Sequence, residues 1–355
     1  MLLLHITTLS RFEKVASQLI GLRLRLIGRD SSLSPAYLGL MSHEQRIETY
    51  FNISRTRLGF FSIFNETTSS KAMLHFRNAS DYFMVQLGIG NPKQNVYLNF
   101  DTAISPLTWA QCQGDGYYDQ HKSRTYRKIR HNSHTCTYPI FRRKNGDCIY
   151  KISYPNGGSA SGVAAIDRFT FLTVQNTTTN VNNIRFGCTK KSNNINYGPG
   201  SGILSMNKSP ESLITQLSSI VGGRFSYCLF LNPSAQGYLS LGKLRLKIHK
   251  DALHNNRRNT GFLIDTNTVL SNIHRAAYIR IRRVLVYRGG ADFRVPAERV
   301  FLLNKDNTSF CLGLMPTGGP TVLGVMQQHN MRFTYDVNKG TVSFSPDDCV
   351  ASEKA

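Results

Sequence analysis

Short apolar runs interrupted by Gly, Asn, Ser and Thr dominate the chain from Tyr82 almost to its end. Examples are YFMVQLGIG, GYLSLG and GTVSFS, in which apolar and polar positions alternate over a few residues before a turn residue. This pattern is typical of β-strands joined by tight turns. Two helical stretches are predicted within it, at 209–219 and near 275–285. We therefore expect an all-β fold with short helices.

The first 80 or so residues have a different character and are interpreted as a leader segment, 1–80. The stretch SHEQRIETYFNISRTRL predicts a helix, in which Ser42 and Gln45 form a capping box at the start. The opening MLLLHITTLSRFEK is apolar but has no basic n-region, so it is a marginal match to a signal peptide. Arginines interrupt LIGLRLRLIGR, so we expect no membrane-spanning helix.

One constellation occurs twice. The stretch NFDTA, which contains Asp101, is followed about a hundred residues later by SGILSM. The stretch LIDTN, which contains Asp265, is followed by TVLGVM. In both halves a strand that ends in Asp-Thr is coupled to a later apolar strand. The duplication predicts two lobes of one design, at 81–225 and 226–350.

Two carboxylates in one cleft are sufficient to hydrolyse a peptide bond without a metal. Held within hydrogen-bond range, Asp101 and Asp265 would share a proton, so that one takes a proton from water while the other polarises the scissile carbonyl. A hydroxyl at the next position would brace the lobes, and a small third residue would leave room for the opposite lobe. A single Asp-Thr-Ala is more typical of a turn. Two copies in matching apolar contexts indicate a catalytic pair.

These motifs resemble those of pepsin-like aspartic proteases, specifically the plant nepenthesin-like group, which includes chloroplast nucleoid proteases and catalytically inactive xylanase inhibitors. LRLRLIGRDSSLSPAY is similar to the prosegment of that group, and YFMVQLGIGNPKQNVYLNFDTAISPLTWAQC to its first active-site region. RFSYCL is similar to its lobe junction, and VLGVMQQHNMRFTYDVNKGTVSFSPDDC to its C-terminal end. The resemblance implies a bilobal all-β fold with double-ψ β-barrel-type lobes, a central cleft and an N-terminal prosegment. The implied activity is that of an aspartic endopeptidase acting at acidic pH.

The resemblance also implies a role for each residue that matches a family motif. Asp101 and Asp265 match the catalytic dyad, and no cofactor or metal is implied. The supporting residues of the two catalytic loops are Thr102, Ala103, Ser105, Thr266, Asn267 and Thr268. Tyr154 matches the tyrosine of the flap over the cleft, and Trp109 matches its hydrogen-bond partner. The Gly-rich stretch 156–162 predicts the hairpin tip of that flap.

The chain departs from the family pattern at several positions. Ala103 and Asn267 stand where the family has glycine, and an extra residue at Ile104 displaces Ser105 relative to Asp101. Ser205 also replaces a glycine. The interval from Asp265 to Val322 is little more than half of that from Asp101 to Ile203, so we expect a shortened second lobe. A catalytically impaired or inactive relative, acting as a binding or inhibitor module, is therefore an alternative hypothesis.

Charge and cysteine content define the expected partners and compartment. The net charge of +22 is concentrated in 122–144 and 243–299. We interpret these stretches as solvated basic surface, because they lack a nucleic-acid reader motif, and a nucleic-acid-associated protease is the second alternative. Seven cysteines at wide spacing favour disulfides with at least one thiol left over, in a secreted or vacuolar protein, and a chloroplast location is the alternative. A monomer acting on peptide or protein substrates is expected.

Sequons that predict a glycoprotein lie at Asn52, Asn65, Asn78, Asn176, Asn207 and Asn307.

Overall fold

A computed structural model describes most of the chain. The described residues are 20–62, 83–112, 117–137, 139–154, 158–173, 175–193, 200–231, 237–242, 252–254, 262–274, 285–286, 292–293, 299–303, 306, 308 and 310–349.

Strands make up about half of this part of the chain. Those of the first half are β1 Gly21–Gly28, β2 Phe83–Ile89, β3 Gln94–Asp101, β4 Trp109–Gln111, β5 Arg127–Lys128, β6 Phe141–Lys144, β7 Asp147–Ser153, β8 Ser159–Thr173, β9 Thr178–Asn193, β10 Gly202–Ser205, β11 Arg224–Cys228 and β12 Gly237–Gly242. Those of the second half are β13 Ala252–His254, β14 Phe262–Ile264, β15 Ser271–His274, β16 Leu285–Val286, β17 Asp292–Phe293, β18 Phe301–Leu303, β19 Phe310–Leu312, β20 Leu314–Thr317, β21 Thr321–Leu323, β22 Met331–Asp336 and β23 Thr341–Pro346.

Helices are few and, with one exception, short. Helix α1 spans His43–Ser62, and the other α-helices that the structure describes are α2 Leu213–Gln216, α3 Ser218–Val221 and α4 Val325–Gln328. The capping box predicted for α1 is confirmed, since Gln45 N donates to Ser42 Oγ and Ser42 N donates to Gln45 Oε1. Helices α2 and α3 confirm the helical stretch predicted at 209–219. Most of the helix predicted near 275–285 lies outside the described residues.

A 15-stranded sheet forms the body of the described part of the chain, and β1 lies in its middle. The order is β13-β23-β22-β11-β12-β1-β2-β3-β10-β4-β9-β8-β7-β6, and β5 pairs with β8. The leader segment therefore contributes a central strand, which sequence reasoning did not anticipate. Strands β14, β21, β15 and β20 form a separate four-stranded sheet in the second half.

The duplication seen in the sequence is a duplication of strand pairing. Strand β3 pairs in parallel with β10, so that Ser205 lies opposite Asp101. Strand β14 pairs in parallel with β21, so that Ile264 lies opposite Leu323. Gly202 starts β10 where it crosses β4, and a Cβ atom there would lie 2.0 Å from the carbonyl oxygen of Trp109. The two Asp-Thr turns thus follow equivalent strands.

Three disulfides join distant parts of the chain. Cys112 pairs with Cys188, Cys136 with Cys148, and Cys228 with Cys349. Cys311 is free and exposed, which confirms the prediction of an unpaired thiol. The third bridge fastens β11 to the segment that follows β23, and so ties the junction of the two halves to the end of the described chain.

Candidate active site

Asp101 and Asp265 come together at the centre of the described molecule, and both side chains are fully buried. Asp101 is the last residue of β3, and Asp265 follows directly after β14. A single nitrogen, Nη2 of Arg57, lies 3.0 Å from Oδ2 of Asp101 and 3.1 Å from Oδ1 of Asp265. The two turns therefore deliver their carboxylates to one place.

Different donors hold the two carboxylates. Oδ1 of Asp101 accepts the backbone N–H groups of Ala103 at 2.8 Å and Ile104 at 2.7 Å. Oδ2 of Asp265 accepts the hydroxyl of Thr268 at 2.6 Å. The glycine-to-alanine change at Ala103 leaves its N–H available to the carboxylate, because only the backbone takes part. The residue that lengthens the first turn, Ile104, supplies a donor as well.

The two halves are braced by hydrogen bonds that meet mostly on one carbonyl. Thr266 Oγ1 donates to the carbonyl oxygen of Phe100 at 3.0 Å. Asn267 Nδ2 donates to the same oxygen at 2.9 Å, so its side chain forms a second bond between the halves. The reciprocal bond, from Thr102 Oγ1 to the carbonyl of Ile264, is long at 3.5 Å. The brace is therefore asymmetric. The hydrogen bonds to the carbonyl of Phe100 are the shorter ones, and Asn267 adds the second of them.

Ser105 is turned toward the flap and bonds there. Its hydroxyl donates to the carbonyl of Leu107 at 2.8 Å and lies 3.3 Å from the hydroxyl of Tyr154. Trp109 Nε1 donates to that tyrosine hydroxyl at 3.1 Å. The carbonyl of Ser105 accepts from Asn207 Nδ2 at 2.8 Å and from Ser205 Oγ. Ser205, which replaces a family glycine, thus fixes the turn that carries Ser105.

The flap is a hairpin of β7 and β8 whose tip lies outside the described residues. Its strands pair from Ile149 opposite Val163 to Ser153 opposite Ser159, and Tyr154 N donates to the carbonyl of Gly158 at 2.7 Å. Of the predicted tip at 156–162, residues 156 and 157 are not described, whereas 159–162 are the first residues of β8, so the prediction of a tip was wrong there. Tyr154 is buried in a small apolar cluster, where Trp109 joins it.

Arg57 is the functional residue that sequence reasoning missed. It lies in α1 and is buried, and its Nε also donates to Oδ2 of Asp265 at 2.9 Å. Helix α1 is fastened nearby, because Leu270 N donates to Ser54 Oγ at 2.7 Å. The only available signal was a basic residue on the helix of the leader segment. Nothing in the sequence indicated which of its arginines would face the carboxylates.

Buried polar groups support the second turn from behind. Gln328 Nε2 donates to the carbonyl oxygens of Asp265 at 3.1 Å and Leu323 at 2.9 Å. Its Oε1 accepts the hydroxyl of Tyr227 at 2.9 Å. Burial raises the pKa of Tyr227 far above its ordinary value, and the nearby Tyr335 and Asp265 add to this shift. Tyr227 therefore stays neutral and acts as a donor.

Metal sites and membrane-spanning helices can be assessed only in the described part of the chain. No group of three or more His, Cys, Asp or Glu side chains there has the arrangement of a metal site. No helix found there is long and apolar enough to span a membrane. In the basic stretch 122–144, Lys128 pairs with Asp147 and Lys122 with Asp119. Most of the stretch 243–299 lies outside the described residues.

Comparison with known proteins identifies relatives that cover most of the chain. Residues 83–243 match the family model described as xylanase inhibitor N-terminal, and residues 282–346 match the one described as xylanase inhibitor C-terminal. Aspartyl protease family protein 2 of Arabidopsis thaliana is 23% identical over 369 residues, which cover 79% of this chain and 74% of the relative. Aspartic proteinase nepenthesin-1 of Nepenthes gracilis is 24% identical, over 76% of this chain and 78% of the relative.

Solved structures confirm the predicted fold class. The soybean basic 7S globulin superposes with a TM-score of 0.59 at 15% identity, covering 77% of this chain and 96% of that chain. Conglutin gamma from lupine seeds, also a basic 7S globulin, gives a TM-score of 0.60 at 15% identity, with 77% and 93% covered. The all-β, pepsin-like architecture expected from the sequence is therefore the architecture of the molecule.

Proposed function

Because the chain belongs to the plant pepsin-like aspartic protease family, we propose that it is an aspartic endopeptidase produced in a latent form. Asp101 and Asp265 would hydrolyse peptide bonds at acidic pH once helix α1 has left them. The observation that carries this proposal is the meeting of both buried carboxylates at one nitrogen of Arg57. That convergence defines a place where one small group, such as a water molecule, would touch both.

The chemistry follows from the position of the two carboxylates. Without Arg57, two buried carboxylates at this distance share one proton, because their charges repel in a site that excludes water. The ionised member takes a proton from the bound water, and the protonated member gives its proton to the scissile carbonyl. The backbone donors on Asp101 and the hydroxyl of Thr268 on Asp265 keep the carboxylates oriented during this exchange. Correct orientation is worth several orders of magnitude in rate.

Latency follows from the ion pairs of Arg57. Its guanidinium donates to both carboxylates and lies between them, so neither water nor substrate can take that place. Arg57 stays charged at any pH the protein meets. Release therefore requires α1 to leave the dyad.

Substrate would be an extended peptide held under the flap. The hydroxyl of Tyr154 is positioned by Trp109 and Ser105, which fixes the base of the flap. We further propose a monomer that is secreted or directed to the vacuole, since three disulfides require an oxidising compartment to form.

A non-catalytic binding or inhibitor module is the second candidate. The family models that match the chain are named for xylanase inhibitors. Asn267 is fully buried beside the dyad, and its Oδ1 has no hydrogen-bond partner among the described residues. An enzyme optimised for turnover would gain from a smaller residue there.

Acid proteolysis separates the two candidates. The full chain is first freed of α1 by limited proteolysis. The resulting protein is incubated with denatured globin from about pH 2 to about pH 6, with and without pepstatin. We expect pepstatin-sensitive cleavage that Asp101→Asn and Asp265→Asn each abolish. Asp336→Asn is the matched control, because that carboxylate pairs with Arg224 outside the dyad and its loss leaves cleavage intact. Folded material that cleaves nothing across this range would establish the non-catalytic candidate.

A further inference from the structure

The central part of the large sheet has one apolar face and one polar face. Leu22, Leu24 and Leu26 of β1 are at most 2% exposed and belong to the main hydrophobic core. Side chains alternate along a strand, so Arg23 and Arg25 lie on the opposite face, where both are partly exposed. Two cations of the leader segment therefore lie on the face turned away from the core.

One row of polar side chains crosses this face. Arg23 of β1 lies opposite Ser240 of β12. Ser226 of β11 lies next to Ser240, and Thr334 of β22 lies next to Ser226. Directly opposite residues of an antiparallel pair share a face, and neighbouring strands are about 4.8 Å apart. Tyr227, the next residue of β11, lies on the other face, where it supports the second catalytic turn. The row is therefore on the side of the sheet turned away from the dyad.

Two buried atoms of this row have no hydrogen-bond partner. Nε of Arg23 and Oγ of Ser226 are both shielded from solvent, and neither bonds to another residue that the structure describes. Ser226 is fully buried, and Ser240 is 4% exposed. Buried polar groups are nearly always paired in proteins, because an unpaired group loses its bonds to water without replacement. The row therefore has hydrogen-bonding capacity that these neighbours leave unused.

The positive charge at this row has no counter-ion among the described residues. Neither Arg23 nor Arg25 forms an ion pair with a carboxylate there. By contrast Arg224, farther along the same face, pairs with Asp336 at 2.9 Å. The guanidinium of Arg23 lies over the ring of Tyr238, 5.2 Å from its centroid, and this contact holds the cation above β12. A held guanidinium with a free donor is suited to an anion.

We propose that this face binds a tetrahedral oxyanion, a phosphate or sulfate group, against Arg23, Ser240 and Ser226. The anion accepts hydrogen bonds from the guanidinium and from the hydroxyls, so the two unpaired atoms gain partners together. Its oxygens point in several directions, which suits donors that come both from the strands of the sheet and from the arginine above them. Arg25 adds a second positive charge on the same face. Arg23 is partly exposed, so a change of its rotamer admits the anion to the row.

Titration of the full chain with inorganic phosphate tests the site. Calorimetry at neutral pH, with the ionic strength held constant by chloride, should show one saturable site per chain. Arg23→Met keeps the apolar stem of the side chain and should weaken phosphate binding about tenfold or more, because a hydrogen bond to a charged group is lost. Arg127→Met is the matched control, since it removes the same charge from an exposed position of β5 and should leave the affinity unchanged.

Ser226→Ala keeps the proposal testable if Arg23→Met folds poorly. Removing a buried hydroxyl that has no partner should leave the urea midpoint in chloride unchanged or raise it, yet it should weaken phosphate binding about threefold or more. A serine with a purely structural role would give the reverse result, a lower midpoint and an unchanged affinity. That reverse result would overturn the proposal.

Two further ligands distinguish the sources of the anion. Tighter binding of free phosphate or sulfate than of a phosphoserine peptide would identify a free anion as the ligand. Tighter binding of the peptide, with none of its unphosphorylated form, would identify a phosphate group carried by another molecule. Absence of saturable binding in the unchanged chain, or equal affinity in Arg23→Met, would overturn the site. None of these measurements depends on proteolytic activity, so this proposal and the aspartic dyad fail separately.

Discussion

Arg57 and Asp265 form a two-point ion pair: Nε donates to Oδ2 at 2.9 Å and Nη2 donates to Oδ1 at 3.1 Å. The same Nη2 reaches Asp101. One side chain of the leader segment therefore donates to both carboxylates of the candidate active site.

Replacing Arg57 should lower stability and open the site at the same time. In Arg57→Gln two carboxylates lose their charge partner, and breaking a buried pair costs about 3–5 kcal/mol. We expect a lower urea midpoint than that of the unchanged chain. Pepstatin should bind the full-length variant more tightly than the unchanged chain. Arg57→Lys keeps the charge but loses the fork, and should lie between the two. Unchanged stability in Arg57→Gln would contradict the ion pairs.

The brace on the carbonyl of Phe100 predicts a non-additive pair of mutations. In Thr266→Val or Asn267→Ala one donor remains, so each change should cost about 1 kcal/mol. The double variant leaves a buried carbonyl without a donor and should cost about 1–3 kcal/mol beyond the sum. Urea unfolding of the four proteins measures this coupling. Strict additivity would mean that the carbonyl finds another partner.

The lowered pKa of His329 predicts that the free energy of unfolding falls on mild acidification. Burial lowers its pKa, Arg299 adds to the shift, and a hydrogen bond to the backbone of Leu229 partly opposes it. The unfolded chain takes up a proton at about pH 6.5, whereas the folded protein resists it. The contribution of His329 is therefore fully present above that pH and is lost as pH falls toward the lower folded-state pKa. His329→Gln should flatten the dependence of the unfolding free energy on pH in this window. An unchanged slope would show that another group causes it.

The thiol count is a direct test of the disulfide pattern. Cys311 is exposed and free, whereas the other six cysteines are paired. One thiol per chain should react with Ellman's reagent in the native protein and again after unfolding without reductant. Cys311→Ser should remove this signal. Additional reactive thiols on unfolding would mean that a bridge is absent.

The asparagines of two sequons differ in whether their side chains are exposed or engaged in hydrogen bonds. Asn176 is exposed and lies in the turn between β8 and β9 at φ 60. Asn207 uses its amide to hold the carbonyl of Ser105 and its carbonyl to accept Ser209 N. In a secretory host we expect a glycan on Asn176 and none on Asn207, read by peptide mass spectrometry. Asn176→Gln should remove the corresponding mass and leave the fold intact.

Local signals in the sequence identified most elements of the site, because each catalytic loop is formed by consecutive residues. The two Asp-Thr turns and the capping box of α1 depend on neighbours within a few positions. Arg57 contacts residues that lie 44 and 208 positions away in the sequence, and β1 pairs with β12 across more than 200 positions. No feature of the neighbouring sequence distinguishes Arg57 from Arg55, or shows that β1 is a central strand of the sheet. The direction of Ser105 is also a packing result, since the turn at Ile104 carries its hydroxyl to Tyr154.

The central position of β1 has a consequence for biosynthesis. The strand is synthesised more than 200 residues before its neighbour β12. Its leucines must therefore wait for β12 before they can pack fully, and pairings this distant are slow to form. Chaperone demand during translation should accordingly be highest for the nascent chain that still lacks β12.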